Sequence, residues 1–290
     1  MRLARRGLRF ALLAAFAVFF VVPLVWLTLA PTKSDEALVT SDPFTFGSLH
    51  NLTLAWRHLD AFSDHIYRAW IGNSLVYAFG ATAIVLATAI PAGYGLALSR
   101  FPGRRLILSL TLVVMIMPAA ALVLPIFLEL NALHLIGSAL SVILPFSFFP
   151  FGVYLAYIYY STALPRDLLD AARIDGCGEW STFRHIALPL AKPVVALVFF
   201  FSFVADWNNF FLPYAVLADS TQYPIQVGLS NLLSSTPAFN PAVGGGGQQV
   251  GIFRPELALA TLIAVIPVAI VFLLSQRALV RGLVAGAIKS

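Results

Sequence analysis

Charged residues concentrate at one place in an otherwise apolar chain, the stretch DLLDAARIDGCGEWSTFRHIALP at residues 167–189. Its charged and titratable side chains are Asp167, Asp170, Arg173, Asp175, Glu179, Arg184 and His185. A connector between packed helices usually needs about 2–8 residues, and the polar insert at residues 164–192 is far longer. This length favours a docking element for another protein over a solvated connector.

A second polar group interrupts an apolar run near its far end, and it consists of Asp206, Trp207, Asn208 and Asn209. Asp206 lies 14 residues after Lys192, which is about 21 Å along a helix. Polar side chains inside a membrane span are costly, so each is a functional candidate. Carboxylates and amides form hydrogen bonds with polar solutes, and an indole offers a flat apolar face. These four residues are therefore the candidate solute pathway; the alternative, a helix-packing and gating element, stays open.

No catalytic centre or metal site is predicted. The histidines are scattered, no H-E-x-x-H motif occurs, and the single cysteine, Cys177, excludes a disulfide framework. No G-x-x-x-x-G-K-[ST] loop is present to hold ATP phosphates. The glycine run in PAVGGGGQQVG lacks the Lys-Ser or Lys-Thr of such a loop and predicts a mobile segment instead. Neither a membrane enzyme nor a nucleic-acid-binding protein is indicated.

The composition places the chain among membrane proteins, because 60% of its residues are hydrophobic and 11% are charged. A helix needs about 20 apolar residues to cross a bilayer. Six runs meet this length, at residues 10–30, 71–99, 106–128, 135–160, 193–217 and 257–276. We expect an all-α polytopic membrane protein with six transmembrane helices, in which Asn73 and Ser74 cap the second helix.

The distribution of basic residues predicts the orientation. With both termini in the cytoplasm, fourteen of the 18 Lys and Arg residues lie on the cytoplasmic side and four lie outside. The positive-inside bias thus places both termini in the cytoplasm. It places the polar insert, which lies between the fourth and fifth helices, on the same side. The predicted domains are residues 1–69, with the first helix and an outer loop that forms short amphipathic helices, and a core at residues 70–290 with the other five.

The polar insert should fold as two short helices joined by a glycine elbow. Pro165 suits the first turn of a helix, and Asp167 and Asp170 lie near the positive end of its dipole. Gly176 and Gly178 are expected to end this helix through left-handed backbone. A second helix is expected at about residues 180–187.

These residues also resemble a known family. Asp170-Ala171-Ala172, three residues, Gly176, nine residues, and then Ile186-Ala187-Leu188-Pro189 resemble the E-A-A, G, I-x-L-P pattern of ABC importer permeases, with Asp in place of Glu. Further stretches resemble the carbohydrate branch and its maltose-type second permease subunit, from about residue 70 onward. They are MIMPAAALVLPIF, LPRDLLDAARIDG, LPLAKP, DWNNFFLP and QRALVRGLVAGAIK.

The resemblance implies a permease subunit of a bacterial cell-membrane importer for a sugar or oligosaccharide. It implies a second permease subunit in a heterodimer, two cytoplasmic ATPase subunits that use ATP and Mg, and an extracytoplasmic solute-binding protein. This chain would bind no cofactor. The implied ATPase-coupling residues are Asp170, Ala171, Ala172, Asp175, Gly176, Ile186, Leu188 and Pro189. The alternative is a permease of the same architecture for glycerol phosphate, an amino acid or a peptide.

Overall fold

The computed structural model describes residues 2–240 and 251–287, and side chains within residues 6–240 and 251–279. The glycine run at residues 241–250 lies outside the described residues. The described residues form helices and no strand. The α-helices are α1 (Arg2–Leu29), α2 (Asp35–Thr40), α3 (Leu49–Ala61), α4 (Ile66–Leu98), α5 (Arg104–Ile116), α6 (Ala119–Ala132), α7 (Leu140–Phe146), α8 (Pro150–Thr162), α9 (Arg166–Ile174), α10 (Glu179–Thr182), α11 (Leu188–Leu190), α12 (Lys192–Trp207), α13 (Phe211–Val216), α14 (Ile225–Ser234) and α15 (Arg254–Ala287).

Between four and six helical segments of the described residues can cross a membrane by length and composition. Four are continuous or nearly so, at Arg6–Thr32, Ile66–Leu98, Leu140–Thr162 and Arg254–Leu279. Two more arise if each bent pair counts as one span, namely α5 with α6 and the segment Glu179–Leu190 with α12. The six predicted spans therefore equal the upper end of the range of four to six spans that the described helices allow.

The third predicted span is not the single helix expected at residues 106–128. It is broken between α5 and α6, which meet at 107°. Met117 and Pro118 both have extended backbone, with ψ angles of 127° and 128°. Proline disfavours helical backbone at the preceding residue and donates no N–H, so the helix ends before Pro118. By contrast, Pro91 lies inside the continuous helix α4.

One compact unit comprises residues 1–69 and 228–266. Its short helices α2 and α3 are each capped by a serine, as Ser34 accepts from Ala37 N and Ser48 from Asn51 N. The sequence predicts such short helices between the first and second spans, and the structure confirms their presence.

The same unit fixes the first turn of α15. Glu256 is buried, and its Oε1 lies 2.8 Å from His58 Nδ1 while its Oε2 accepts from Phe253 N. Asp35 accepts from the backbone N–H and from the guanidinium of Arg254. The start of the last long helix is thus held by carboxylates from α2 and from its own first turn.

The second compact unit comprises residues 70–227 and 267–290. Its larger apolar cluster joins α4, α8, the polar insert and α12. Gly93 of α4 lies against α8 so closely that an added Cβ would be 2.4 Å from Ala156 Cβ and 2.8 Å from Tyr157 N. A smaller cluster joins α4, α6, α7 and α13, through Tyr77, Leu130, Val142 and Leu212 among others.

The prediction that Asn73 and Ser74 cap the second span is wrong, because α4 begins earlier, at Ile66. Both side chains instead hold the segment that follows α13. Asn73 Nδ2 donates to Thr221 O at 2.7 Å, and Ser74 Oγ accepts from Ile225 N at 2.7 Å. A long helix can begin in a sequence with several polar residues when its first turns pack on neighbours, as the buried Trp70 does here. The predicted domain division at residues 69 and 70 stays a prediction.

Candidate functional sites

The polar insert is a helix, an elbow and a second helix. Helix α9 follows Pro165, whose ψ of 123° keeps it outside the helix as the N-cap. The prediction that this proline lies in the first turn is therefore wrong by one residue. The second helix begins at Glu179 as α10 and continues through a π-helical turn, Phe183–Ala187, into α11. This second part is longer than the predicted residues 180–187.

Gly176 forms the elbow in left-handed backbone, with φ of +80°. Cys177 N donates to Ala172 O at 2.9 Å, and Gly176 N donates to Arg173 O at 3.1 Å. This pair of hydrogen bonds is the Schellman motif, which satisfies the last carbonyl groups of α9. Gly178 does not share this role, because its φ of −70° and ψ of 163° are ordinary extended backbone. The prediction that both glycines are left-handed is therefore wrong for Gly178.

Apolar side chains anchor the insert to the spans. Phe183 packs with its ring centroid 5.0 Å from that of Tyr94 in α4. Leu169 and Ala172 of α9 are buried in the same cluster, together with Val194 of α12. One face of the insert is thus part of the core of this unit.

The outer face is polar but carries large apolar side chains. Ile174 is 86% exposed and Trp180 is 66% exposed. The sequence prediction did not include these two residues, although an isoleucine and a tryptophan beside a glycine elbow in a polar loop are a usable signal. Large exposed apolar side chains in a polar segment are candidates for contact with another protein.

The predicted coupling residues divide between the two faces. Asp170, Ala171, Asp175, Gly176 and Pro189 are exposed. Ala172 is buried, and Ile186 and Leu188 are half-buried. The structure therefore divides the eight predicted residues into five exposed ones and three that are at least partly buried, and their role in coupling stays a prediction.

Arg173 connects the two helices of the insert across the elbow. Its guanidinium donates to Asp170 Oδ1 and to Glu179 Oε1, each at 3.2 Å. The hydrogen bond and charge of Glu179, followed by those of Asp170, raise the pKa of Arg173. All three side chains are at least half exposed, so the pairs contribute little stability in water.

A cavity of about 250 Å³ lies at the bend between α5 and α6. It is bounded by α6, α7, α12 and α13, and its lining residues are Ala119, Ala120, Leu122, Val123, Ile126, Pro145, Phe146, Phe148, Phe149, Ala205, Asp206, Asn209, Phe211 and Leu212. Two of the four predicted solute-pathway residues therefore line one cavity, with aromatic rings beside them.

Two hydroxyl groups that were not predicted from the sequence hold Asp206 in place. Thr82 Oγ1 and Ser202 Oγ each donate to Asp206 Oδ2 at 3.3 Å. Thr82 and Ser202 are both buried. Ser202 could have been found from its spacing, since it precedes Asp206 by one helical turn on α12.

The other two predicted pathway residues do not line this cavity. Trp207 is 2% exposed and stacks on Phe203 with a centroid distance of 5.7 Å. Asn208 is exposed, and its amide donates to Val204 O at 2.8 Å. Among the residues that the structure describes, no group of three or more His, Cys, Asp or Glu side chains is arranged to hold a metal ion.

Several helices of the described residues are long and apolar enough to cross a membrane, so the fold is that of a polytopic membrane protein. Residues 89–284 match the family described as the binding-protein-dependent transport system inner membrane component, and the chain belongs to that family. It is a permease subunit of an ABC importer in the bacterial inner membrane. The resemblance seen in the sequence is confirmed.

Similar proteins include sugar transport permeases. The chain is 37% identical over 224 residues to an arabinooligosaccharides transport system permease protein of Bacillus subtilis, covering 77% of this chain and 74% of that one. It is 30% identical to a diacetylchitobiose uptake system permease protein of Streptomyces coelicolor, covering 92% and 83%. A solved structure of a bacterial ABC transporter involved in import of the acidic polysaccharide alginate shares the fold, with a TM-score of 0.77, 22% identity, and coverage of 93% and 94%.

Proposed function

We propose that this chain forms one half of the translocation pathway of an ATP-driven importer for a sugar or oligosaccharide. The proposal for the solute rests on relatives whose names specify arabinooligosaccharides, diacetylchitobiose and lactose. The other half is a second, different permease subunit. An extracytoplasmic solute-binding protein delivers the sugar, and two cytoplasmic ATPase subunits hydrolyse ATP with Mg.

The observation that carries the coupling proposal is the two-faced insert at residues 164–192. Its exposed face presents Ile174 and Trp180 beside the acidic residues Asp170 and Asp175. Burial of one large apolar side chain stabilises a contact by about 1.5–3 kcal/mol. Ala171 and Gly176 are small, so another backbone can approach closely. This face therefore docks on the ATPase, with Asp170 to Gly176 at its centre.

The anchored face supports transmission of movement to the spans. Phe183, Leu169 and Ala172 pack into the cluster that contains Tyr94 of α4 and Val194 of α12. Close-packed interiors have low compressibility and transmit displacement. Movement of the ATPase would thus displace α4, α8 and α12 together, which supports alternating access at the membrane pathway.

The cavity at the α5–α6 bend is proposed as part of the solute route. Asp206 and Asn209 supply hydrogen-bonding groups for sugar hydroxyls, and Phe146 and Phe149 supply apolar ring surface. Among the described residues that line it, none is basic. A phosphorylated solute such as glycerol phosphate would favour a basic lining, so this alternative has less support than a neutral sugar.

Cys177 provides a test of the coupling surface that needs no substitution. It is the single cysteine of the chain, it is exposed, and it follows the elbow. A membrane-impermeant maleimide should label it in inside-out vesicles and not in right-side-out vesicles, because the insert is proposed to be cytoplasmic. Added ATPase subunits should slow the labelling.

The matched comparison uses two exposed apolar residues. Trp180→Ser should weaken copurification of the ATPase about tenfold or more, from the lost apolar burial. Val39→Ser in α2, which is 67% exposed, should leave it unchanged. Unslowed labelling of Cys177 in an assembly that shows ATP-dependent uptake would refute docking at this face.

The solute is tested separately, by competition of oligosaccharides, glycerol phosphate, amino acids and peptides for uptake with the cognate binding protein.

A further inference from the structure

Three arginines surround a small cavity at the turn between α4 and α5. The cavity has a volume of about 300 Å³, and its lining residues are Arg100, Phe101, Gly103, Arg104 and Arg105. None of the ion pairs formed by the described residues involves these arginines. Within the described part of the chain, three positive charges are therefore placed together without a carboxylate.

One of the arginines is held in position by the protein. The Arg104 guanidinium lies 5.8 Å from the centroid of the Tyr157 ring, and it donates to Ala97 O at 3.4 Å. Arg100 and Arg105 are exposed on either side. A guanidinium binds phosphate oxygens through two parallel hydrogen bonds, so the cluster suits a phosphate group.

An apolar strip begins directly beside the basic cavity. Leu106, Leu110 and Val113 of α5 are 63%, 53% and 57% exposed, respectively. Their spacing of four and three residues places them on one face of the helix. Helix α4 before the turn is apolar enough to span a membrane over Ile66–Leu98, so the turn lies where a span ends and the strip leads from it along α5.

We propose that the cavity of Arg100, Arg104 and Arg105 binds the phosphate of an anionic phospholipid, whose acyl chain lies along Leu106, Leu110 and Val113. The juxtaposition of unpaired positive charge with an exposed apolar strip matches a lipid, which has an anionic head joined to a hydrocarbon chain. A soluble phosphate would use only the arginines. An acidic protein surface would not use the apolar strip. The site requires only that α4 and α5 lie in the bilayer, and it is independent of coupling to the ATPase.

The experiment measures phosphatidylglycerol bound to the complete purified transporter by native mass spectrometry, with phosphatidylcholine of the same acyl chains as the reference lipid. Each basic residue near an anionic lipid surface contributes about fivefold to binding. The variant Arg100→Gln, Arg104→Gln, Arg105→Gln should therefore weaken binding of phosphatidylglycerol about a hundredfold, with little change for phosphatidylcholine. The single variant Arg105→Gln, which keeps the packed Arg104, should weaken it about fivefold even if the triple variant does not assemble.

The matched control is Arg57→Gln, an exposed arginine of α3, which removes the same charge elsewhere and should leave binding unchanged. Unaltered phosphatidylglycerol binding by Arg105→Gln, or an equal loss with Arg57→Gln, would overturn the site. Full displacement by millimolar inorganic phosphate would show an ion site instead of a lipid site. Loss of ATPase copurification with lipid binding retained would assign the arginines to a protein contact.

Discussion

Replacement of Gly176 by valine should sharply reduce transport and leave assembly in the membrane intact. Gly176 has φ of +80°, and no atom lies within 4 Å of an added Cβ. The substitution therefore meets no steric clash, and its cost comes from the backbone. A residue with a side chain pays about 1–2 kcal/mol in left-handed backbone, and a β-branched residue is especially unfavourable there. The elbow should lose about 5- to 30-fold in population relative to other conformations of the loop.

Gly178 provides a matched control two residues further along the chain. It is also free of atoms within 4 Å of an added Cβ, but its backbone is extended, with φ of −70° and ψ of 163°. Valine is well accommodated in extended backbone. Gly178→Val adds the same atoms to the same loop without the strain. Gly176→Asn is a third variant, because asparagine tolerates left-handed backbone better than valine does.

The assay is ATP-dependent solute uptake in proteoliposomes that contain the full transporter and its binding protein. Uptake by Gly176→Val should fall at least about fivefold, that of Gly176→Asn should be intermediate, and that of Gly178→Val should stay near the wild-type value. The yield of assembled permease should be equal in all four proteins. Normal uptake by Gly176→Val would refute the need for this elbow. Equal losses at the two glycines would show that added bulk, rather than backbone strain, is responsible.

Three further substitutions test the cavity and the packing of each unit. Asp206→Ala should reduce the maximal uptake rate more than it reduces assembly, because it removes a polar group from the cavity lining. Glu256→Ala should lower the melting temperature of the purified permease, since it leaves the His58 ring and the part-buried backbone N–H of Phe253 without their acceptor, a loss of about 1–3 kcal/mol. Ser74→Ala should lower it as well, by leaving Ile225 N–H unpaired in a buried position, at a similar cost of about 1–3 kcal/mol.

Each of these changes has a nearby control. Asn208→Ala alters an exposed residue beside Asp206, and unchanged kinetics in Asp206→Ala would remove the carboxylate from the solute route. Glu36→Ala removes an exposed carboxylate of α2, and an equal melting temperature in Glu256→Ala would contradict a role in holding α15. Ser74→Thr keeps the hydroxyl acceptor, so it should melt above Ser74→Ala; the reverse order would contradict the hydrogen-bond explanation.

Local signals in the sequence predicted the polar insert well. Proline at 165 and glycine at 176 bracket α9 closely, because fixed φ in one residue and access to left-handed backbone in the other act within a single turn. The two glycines could not be told apart in this way. Gly176 terminates α9 and Gly178 precedes α10, and this difference depends on where the second helix packs.

The broken third span could not be predicted from proline alone. Pro91 and Pro118 both lie in apolar runs, but only Pro118 separates two helices. A continuous helix with a proline persists when neighbouring groups satisfy the freed carbonyl. That support comes from residues distant in sequence.

The candidate solute residues show the same limit. Asp206 and Asn209 line the cavity on either side of the end of α12, whereas Trp207 between them is buried. The 3.6-residue period places Ser202 and Asp206 on one face of α12, and this pairing was available from the sequence. Thr82, which donates to Asp206 from another helix, was not, because nothing in the chain marks which of many span residues becomes its partner.

The contact of Gly93 with Ala156 has a mechanical consequence. No layer of side chains separates the two backbones there, since an added Cβ would lie 2.4 Å from Ala156 Cβ. Flexible side chains between packed helices can absorb a small displacement by changing rotamer. Without such side chains, we expect α4 and α8 to move together at this point. The Tyr94 ring packs on Phe183 of the insert and on Tyr160 of α8, so a displacement of the insert should reach both helices directly. Gly93→Leu should separate α4 from α8. We expect it to impair transmission of movement from the insert to the spans without removing a binding contact.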